Sequence, residues 1–335
     1  MIRRLVGGDE PQSEVLQPEE RQTVRPPTML PGMLDRVTDT DEHSILSIHL
    51  DVARATEALH APVLRQVYHN SIVRRSGFAT WRHSERYGGA AEFAELTGSI
   101  MRVPELRYCH NYVNWRYFGH WLTDAIPSAL IEPEQGALWM PPHPCWGHAA
   151  AYIEVLNLAP LKASVVHADR LIVYQDYGQG SHKRARYITI RDALHKAFAT
   201  PDPAECVYIR RGKTGVQRTI ASEAAILEEL DKRGWKILDV ADADVEDLQR
   251  AVYGAKVVVS IDGSHLDHAH LSLIPGSVMV VLMPGDRFST RQVGLCQAHD
   301  VSIGFVVLNG NQDDGYLVEL DEVLRTVDLT AAPQI

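Results

Sequence analysis

The feature that most constrains the fold is a regular alternation of apolar runs and amphipathic segments between about residues 200 and 310. Five apolar runs are predicted to be strands: 206–209, 235–240, 256–261, 277–283 and 303–308. Between them, 223–233 and 245–253 each place their apolar residues on one face of a helix. Strands that are apolar throughout and separated by helices are typical of a parallel sheet covered on both faces. This part of the chain is therefore predicted to be a Rossmann-like α/β domain.

The rest of the 335-residue chain is long enough for a second domain of similar size. We expect an irregular, proline-containing arm over 1–44, an N-terminal domain over 45–198, the Rossmann-like domain over 199–310, and a C-terminal helix and tail over 311–335. Within the N-terminal domain the pattern is mixed. It indicates helices near 90–97 and 117–130, a strand at 170–174 and a proline-rich loop at 139–146.

Composition limits the kinds of partner. The net charge of −10 argues against a general affinity for nucleic acid, which needs a broad basic face. The four cysteines form no CxxC pair, which fits a reducing compartment, and the first residues lack the apolar stretch of a secretory signal. No integral membrane segment is expected. The expected location is the cytoplasm, with peripheral contact at the inner membrane compatible with the chain.

One basic window contrasts with the acidic chain. Residues 207–218 carry four cations and no acid, which makes the window +4: Arg210, Arg211, Lys213 and Arg218. The window follows the first predicted strand, at the sheet edge where ligands of such domains bind. Guanidinium groups can hold a phosphate bidentately, so the window is a candidate phosphate site, and a solvated basic turn is the alternative.

A second anion-binding candidate follows the third predicted strand. There Asp262-Gly263-Ser264-His265 leads into a predicted helix, and Ser264 followed by Asp267 has the spacing of a capping box. Free amides at such a helix start, with Gly263 allowing close approach, could hold a diphosphate. An ordinary strand-to-helix turn is the alternative.

In the N-terminal half, His120 and Asp124 are four residues apart in a predicted helix and share one face. The carboxylate could orient the imidazole or act as a base itself, and a structural His–Asp pair is the alternative. Aromatic residues surround the pair, as they do on many sugar-binding surfaces.

Metal binding is a further alternative. His and Asp at short spacing over 265–270 could ligate a metal, and so could His143, Cys145 and His148 in the proline-rich loop. On a helix, however, His265 and His268 face one way while Asp267 and His270 point elsewhere.

Three motifs in order resemble glycosyltransferase family 61, which includes bacterial polysaccharide transferases. Residues 117–127, Tyr-Phe-Gly-His-Trp-Leu-Thr-Asp-Ala-Ile-Pro, resemble the family's aromatic-x-His-Trp-x-x-(Asp/Glu)-x-x-Pro segment. Residues 208–211 with 218–223 resemble its Ser-Arg … Arg-x-(Ile/Leu)-x-Asn-Glu pattern, which ends here at Glu223. Residues 257–266 with 275–277 resemble its glycine-containing helix start and following Pro-Gly turn. Several positions depart from the family pattern: Ser222, Asp262, Asp267, His268 and Val281.

The resemblance implies a GT-B-like α/β architecture, with two Rossmann-like domains facing across a cleft. It also implies an inverting, metal-independent transfer from a nucleotide-sugar donor to a hydroxyl of a glycan or polysaccharide, such as a capsular one, with no cofactor. Asp124 or His120 would be the catalytic base. The donor diphosphate would be bound by residues of the second and third motifs: Arg210, Arg211, Lys213, Arg218, Glu223, Asp262, Gly263, Ser264 and His265.

Two other functions compete with glycosyl transfer. A metal-dependent hydrolase would use the cluster His265, Asp267, His268 and His270. A non-catalytic homologue would bind a nucleotide-sugar without turning it over.

Overall fold

The computed structural model describes residues 11–87, 99–212 and 217–332. Contacts divide the chain into two compact units, each built from two stretches of sequence. Unit 1 contains Met1–Glu20 and Leu59–Gly178, and unit 2 contains Arg21–Ala58 and Gln179–Ile335. Both units combine strands and helices, so the expected α/β class is confirmed.

Unit 1 is built on a seven-stranded mixed sheet of spatial order β6-β5-β4-β9-β7-β8, with β1 also paired to β4. Its strands are β1 (Gln12–Gln17), β4 (Val63–Arg74), β5 (Gly77–Ala79), β6 (Ser84–Arg86), β7 (Ile100–Tyr108), β8 (Ala137–Trp139) and β9 (Val165–Gln175). Strand β4 pairs antiparallel with β9 along nearly its whole length, whereas β7 runs parallel to β9 and β8. This mixed sheet differs from the parallel sheet of a Rossmann-like domain.

Unit 2 contains the sheet that the sequence predicts. Its strands are β10 (Cys206–Arg210), β11 (Lys236–Asp239), β12 (Val257–Ile261), β13 (Val278–Pro284), β14 (Ser302–Asn311) and β15 (Gly315–Leu317). They are ordered β11-β10-β12-β13-β14-β15, and the first five are parallel. Counted from β10, this is the doubly wound order 2-1-3-4-5, which has a topological switch point between its first and third strands. Two short strands, β2 (Glu20–Thr23) and β3 (Glu57–His60), pair with each other.

The helices of unit 2 pack around this sheet, and all of them except Leu46–Val52 contain buried residues. They are Leu46–Val52, Ser181–Phe198, Glu223–Lys232, Val245–Val252, Leu266–His270, Arg291–His299 and Leu320–Ala331. Strands β12 and β13 are buried at every position, as expected for the centre of a covered parallel sheet. The helix Leu320–Ala331 packs closely on β14, where a Cβ at Gly304 would lie 2.5 Å from Thr330 Oγ1.

The five predicted strands and both predicted helices of unit 2 are confirmed to within a few residues. In unit 1, the strand predicted at 170–174 is part of β9, and the helix predicted at 117–130 is a composite segment described below. The helix predicted at 90–97 lies outside the described residues.

The N-terminal segment differs from the irregular arm that its prolines suggest. Residues 12–17 form β1, and residues 21–58 belong to unit 2. There Thr28 bridges to Gly304, and the Arg36 guanidinium forms two hydrogen bonds of 2.8 and 2.6 Å with the Glu322 carboxylate. These contacts are long-range in sequence, so local composition could not reveal them.

The division between units also differs from the expected boundary at 198/199. Helix Ser181–Phe198 belongs to unit 2, because Tyr187 stacks on His299 with ring centroids 4.3 Å apart and His195 Nε2 bonds to the Ser272 carbonyl at 2.7 Å. Within the described residues, no helix has both the length and the apolar character needed to cross a membrane.

Candidate functional site

The switch point of the unit 2 sheet gathers the residues of the second and third motifs. Strands β10 and β12 are hydrogen-bonded neighbours, with Ile209 opposite Ser260. The chain therefore leaves both strands at the same edge, bringing Arg210 and Arg211 next to Asp262. In sheets of this order, ligands bind in the crevice outside this point.

Arg210 is held by the protein's own carboxylates rather than left open for a ligand. Its Nη2 lies 3.1 Å from Glu223 Oε2, and its Nη1 lies 3.0 Å from Asp239 Oδ2. Tyr208 also donates a hydrogen bond to Glu223. The expected diphosphate-binding roles of Arg210 and Glu223 are therefore not supported, since two acids neutralise the cation and Glu223 is one of them.

Arg211 and Arg218 converge on Asp262 instead. Arg211 Nη1 donates to the Asp262 carbonyl at 2.9 Å. Arg218 Nη1 donates to the same carbonyl and, at 2.9 Å, to the carboxylate atom Oδ2. The Arg218 and Asp262 side chains are only 11% and 10% exposed, so this ion pair is largely buried. Lys213 lies outside the described residues.

Burial, followed by the positive charges of Arg218 and Arg287, lowers the pKa of Arg211 to about 10, while the Asp262 charge acts in the opposite direction. Arg211 is thus still a cation at neutral pH. Arg287 follows β13 at the same sheet edge and was not singled out from the sequence. The three guanidinium groups of Arg211, Arg218 and Arg287 outnumber the nearby carboxylates of Asp262 and Asp286, the latter bonded to Tyr316 beside Arg218 and Arg287.

Gly263 allows a close approach, but the group that approaches is a side chain of the same chain. A Cβ at this position would lie 1.7 Å from Arg211 Nη1 and 2.8 Å from His265 Nδ1. The glycine therefore makes room for the Arg211 guanidinium and the His265 ring.

The predicted capping box at Ser264 and Asp267 is wrong. The helix Leu266–His270 has His265 at its N-cap and no side-chain cap, and Ser264 is exposed. Asp267 is fully buried and its Oδ1 accepts from Arg291 Nη1 at 2.7 Å. The first amides of this short helix are bonded to the turn itself, for example Leu266 N–H to the Gly263 carbonyl. The amides that the turn engages are those of 266–268, so a diphosphate role for the amides of 263–265 stays a prediction.

His265 is buried and neutral. Its Nε2 lies 2.7 Å from Ser260 Oγ, which donates its own proton to the Ile209 carbonyl, so Nε2 is the protonated nitrogen. Burial, with the charges of Arg211 and Arg218, lowers the pKa of His265 well below its usual value. The ring can accept a hydrogen bond at Nδ1 but adds no charge.

The side chains over 265–270 do not form a metal cluster. His265 bonds to Ser260, Asp267 pairs with Arg291, and His270 Nε2 lies 2.7 Å from Gln292 Oε1. Across the described ranges, no group of three or more His, Cys, Asp or Glu side chains is placed to hold a metal ion. In the proline-rich loop, the rings of His143 and Trp146 are tilted against each other with centroids 5.6 Å apart, and His148 packs edge-on against Phe118. The metal alternatives therefore lack support.

The His120–Asp124 contact expected in unit 1 is present. His120 Nδ1 lies 2.7 Å from Asp124 Oδ2, and the two side chains are 29% and 16% exposed. The helix is irregular here: Phe118–His120 is α-helical, Trp121–Ala125 is a π-turn and Ile126–Ala129 is α-helical. Such π-turns are frequent at functional sites. The pair is reachable from solvent and its geometry permits proton transfer.

Aromatic side chains pack beside this pair. Trp146 from the proline-rich loop lies 5.7 Å from Phe118 and 6.1 Å from Trp121, measured between ring centroids. Tyr177, which the sequence did not single out, lies close enough for the Asp124 charge to contribute to its raised pKa, after burial and Glu85. The loop composition predicted a turn, but only the fold shows that its tryptophan packs against Phe118 and Trp121, in the same segment as the pair.

Three comparisons place these residues among known proteins. Residues 118–280 match the family model described as Glycosyltransferase 61. No curated protein matches the chain. Among solved structures, one match is the crystal structure of the flavodiiron protein from Giardia intestinalis, at 11% identity. The alignment covers 54% of this chain and 46% of that chain, with a TM-score of 0.25, which is too low to indicate a shared fold.

The family match extends over the His120–Asp124 pair, the arginines after β10 and the turn after β12. Residues 118–280, just under half of the chain, are thus similar to glycosyltransferase family 61.

Proposed function

We propose that the protein is an inverting, metal-independent glycosyltransferase that moves a sugar from a nucleotide-sugar donor to a hydroxyl of a glycan or polysaccharide. Unit 2 binds the donor and unit 1 supplies the acceptor side and the base. The observation that carries the proposal is the convergence of Arg211, Arg218 and Arg287 at the switch point of a doubly wound sheet.

The arginines would stabilise the leaving diphosphate. When the bond between the anomeric carbon and the diphosphate oxygen breaks, negative charge develops on that oxygen, and fixed cations aimed at it lower the barrier. Arg211 and Arg218 are held in place by Asp262, so little reorganisation is needed when the charge appears. Removing one such donor typically costs about 10²–10³-fold in kcat. No cofactor other than the donor enters the reaction.

The His120–Asp124 pair would activate the acceptor. The base takes the proton of the acceptor hydroxyl while its oxygen bonds to the anomeric carbon from the side opposite the leaving diphosphate, so the configuration inverts. Two assignments fit the 2.7 Å contact: Asp124 can orient His120 so that Nε2 is the base, or the Asp124 carboxylate can be the base itself. The neighbouring rings of Phe118 and Trp146 offer apolar faces for the acceptor sugar.

The remaining parts of the proposal come from the family. We propose a GT-B-type arrangement in which the two units face across the cleft where donor and acceptor meet. A cell-surface or capsular polysaccharide is the proposed acceptor, made in the cytoplasm or at the inner membrane surface. The mixed sheet of unit 1 would make this a divergent form of that architecture.

A thermal-shift screen tests the donor site. Nucleoside diphosphates with different bases are added to the purified protein, and a ligand at about 100 times its Kd stabilises the native state by about 2.7 kcal/mol. We expect a clear rise in Tm with one of them and a smaller rise in Arg287→Gln. If no nucleoside diphosphate shifts Tm, the proposed donor site is wrong.

A further inference from the structure

We propose that Gln292 and His270 are positioning residues, which hold the Asp262 carboxylate against Arg218 and so preset the guanidinium groups for the donor diphosphate. The inference rests on the proposed function of the switch-point site. It adds to that site a buried chain of hydrogen bonds from His270 on the helix Leu266–His270, through Gln292 on the helix Arg291–His299, to Asp262.

This chain of hydrogen bonds has three links. His270 Nε2 lies 2.7 Å from Gln292 Oε1, Gln292 Nε2 lies 3.4 Å from Asp262 Oδ1, and Arg218 Nη1 lies 2.9 Å from Asp262 Oδ2. Gln292 is 1% exposed and His270 is fully buried. Water therefore has little access to the links that precede Asp262.

The donors and acceptors fit together in only one direction. A carboxylate can only accept, so the Gln292 amide nitrogen must face Asp262 and its carbonyl oxygen must face His270. That oxygen also only accepts, so His270 must carry its proton on Nε2. The Asp262 carboxylate thus fixes the orientation of the Gln292 amide, and that amide fixes the tautomer of His270.

His270 stays neutral across the physiological range, since burial lowers its pKa to about 3. Its Nδ1 faces Cys296 Sγ at 4.0 Å, and burial raises the pKa of that thiol, so the sulfur keeps its proton and can serve as a weak donor. The direction of these hydrogen bonds is therefore the same across the physiological pH range.

A buried glutamine with both ends bonded could serve the fold alone. What points to positioning is where the chain ends: Asp262 binds Arg218 through its carboxylate and both Arg211 and Arg218 through its carbonyl. With both carboxylate oxygens engaged, the Asp262 side chain is held in one orientation. Hydrogen-bonding groups that are fixed before the ligand arrives lose less conformational freedom on binding. The affinity for the ligand and the reaction rate are therefore higher.

The substitution Gln292→Glu tests the direction of the chain. At pH 8 it places two carboxylates against each other at the Gln292–Asp262 link, which disfavours the ionised pair and raises the pKa of the new acid. When the pH falls, the protonated glutamic acid can donate to Asp262 and accept from His270, which restores the original polarity.

Several other charged or titratable groups lie near this point, including Arg211, which bonds to the Asp262 carbonyl, and the buried His265 beside it. Arg218 lies on the far side of Asp262, and Arg291 pairs with Asp267 beside the helix start. The His299 ring lies 6.0 Å from the His270 ring, and His49 bonds to Thr290. All of them are also present in the unsubstituted protein, so its pH profile measures their contribution together with the titration of the ligand.

Binding of inorganic diphosphate is measured by calorimetry between pH 6 and pH 8 for four proteins. Besides the unsubstituted chain and Gln292→Glu, these are Gln292→Leu, which removes both links, and Gln297→Glu, which makes the same chemical change elsewhere on the helix. Gln297 lines a separate cavity with Arg184 and Asp300, so it is a matched control.

We expect Gln292→Glu to weaken binding about 10- to 100-fold at pH 8 relative to the unsubstituted protein, and to return to within about 3-fold at pH 6. Gln292→Leu should be weakened equally at both pH values, and Gln297→Glu should be unchanged. If Gln292→Glu binds diphosphate normally at pH 8, or loses the same affinity at both pH values, the positioning role of Gln292 and His270 is wrong. The proposed donor site is not affected by that result. If the unsubstituted protein does not bind diphosphate, the proposed donor site fails and this inference fails with it.

Discussion

The sequence assigns Arg210 to the donor site and does not single out Arg287, whereas the structure favours Arg287 over Arg210, and this difference can be measured. Arg210 is neutralised by Glu223 and Asp239, whereas Arg287, more than seventy residues further along the chain, adds its charge to Arg211. We therefore expect Arg287→Gln to weaken nucleoside diphosphate binding and Arg210→Gln to affect mainly folding stability.

The magnitude follows from the charges involved. A unit charge about 5 Å from a phosphate, at an effective dielectric constant of about 20, contributes about 3 kcal/mol. Arg287 is partly exposed, so solvent reduces this to about 1.5–3 kcal/mol, the usual range for a hydrogen bond to a charged group. Loss of this interaction raises Kd about 10- to 150-fold.

The assay is a calorimetric titration of each variant with the nucleoside diphosphate that stabilises the protein most in the thermal-shift screen. Denaturant unfolding of the same samples separates affinity from stability. The result that refutes the reasoning is the reverse pattern, in which Arg210→Gln loses affinity while Arg287→Gln binds as tightly as the unsubstituted protein.

Two further changes test the geometry of unit 2. Gly263→Ala should displace Arg211, since the added Cβ would lie 1.7 Å from its Nη1, and the affinity for diphosphate should fall about 10-fold. The control is Gly147→Ala, where a Cβ meets nothing within 4 Å. An equal loss of affinity in both variants would contradict the contact. Glu322→Gln should lower the free energy of unfolding by about 1–2 kcal/mol through its bidentate contact with Arg36, as read by urea unfolding at pH 7. Because that hydrogen bond lowers the pKa of Glu322, the contribution is present at neutral pH and is lost as the pH falls through the lowered pKa; an identical difference at pH 7 and at pH 3 would contradict it.

The sheet of unit 2 was predictable because each of its strands and helices is identified by a local sequence pattern. Apolar runs and amphipathic helices of ordinary length determine a doubly wound parallel sheet, and the switch point follows from the strand order. The His120–Asp124 contact was predictable for the same reason, since four residues along a helix bring two side chains to one face.

The features that the sequence missed depend on distant partners. Nothing local shows that Glu223 and Asp239 neutralise Arg210, or that Arg287 joins Arg211 and Arg218. The prediction of a capping box is wrong because the Asp267 side chain is buried and accepts a hydrogen bond from Arg291.

The mixed sheet of unit 1 was missed for a related reason. Its long strand β4 pairs with β9, about a hundred residues away, and no periodicity within β4 identifies that partner. The local pattern of unit 1 was also too mixed to fix the direction of its strands.

The central claim is that the donor site of unit 2 and the His120–Asp124 pair of unit 1 perform one transfer reaction. Its most direct test compares sugar transfer by the unsubstituted protein and by Asp124→Asn, with the nucleotide-sugar of the base selected in the screen. We predict that kcat falls about 10²–10⁴-fold while the Kd for the nucleoside diphosphate is unchanged. Full turnover by Asp124→Asn, together with full turnover by His120→Ala, would contradict the account.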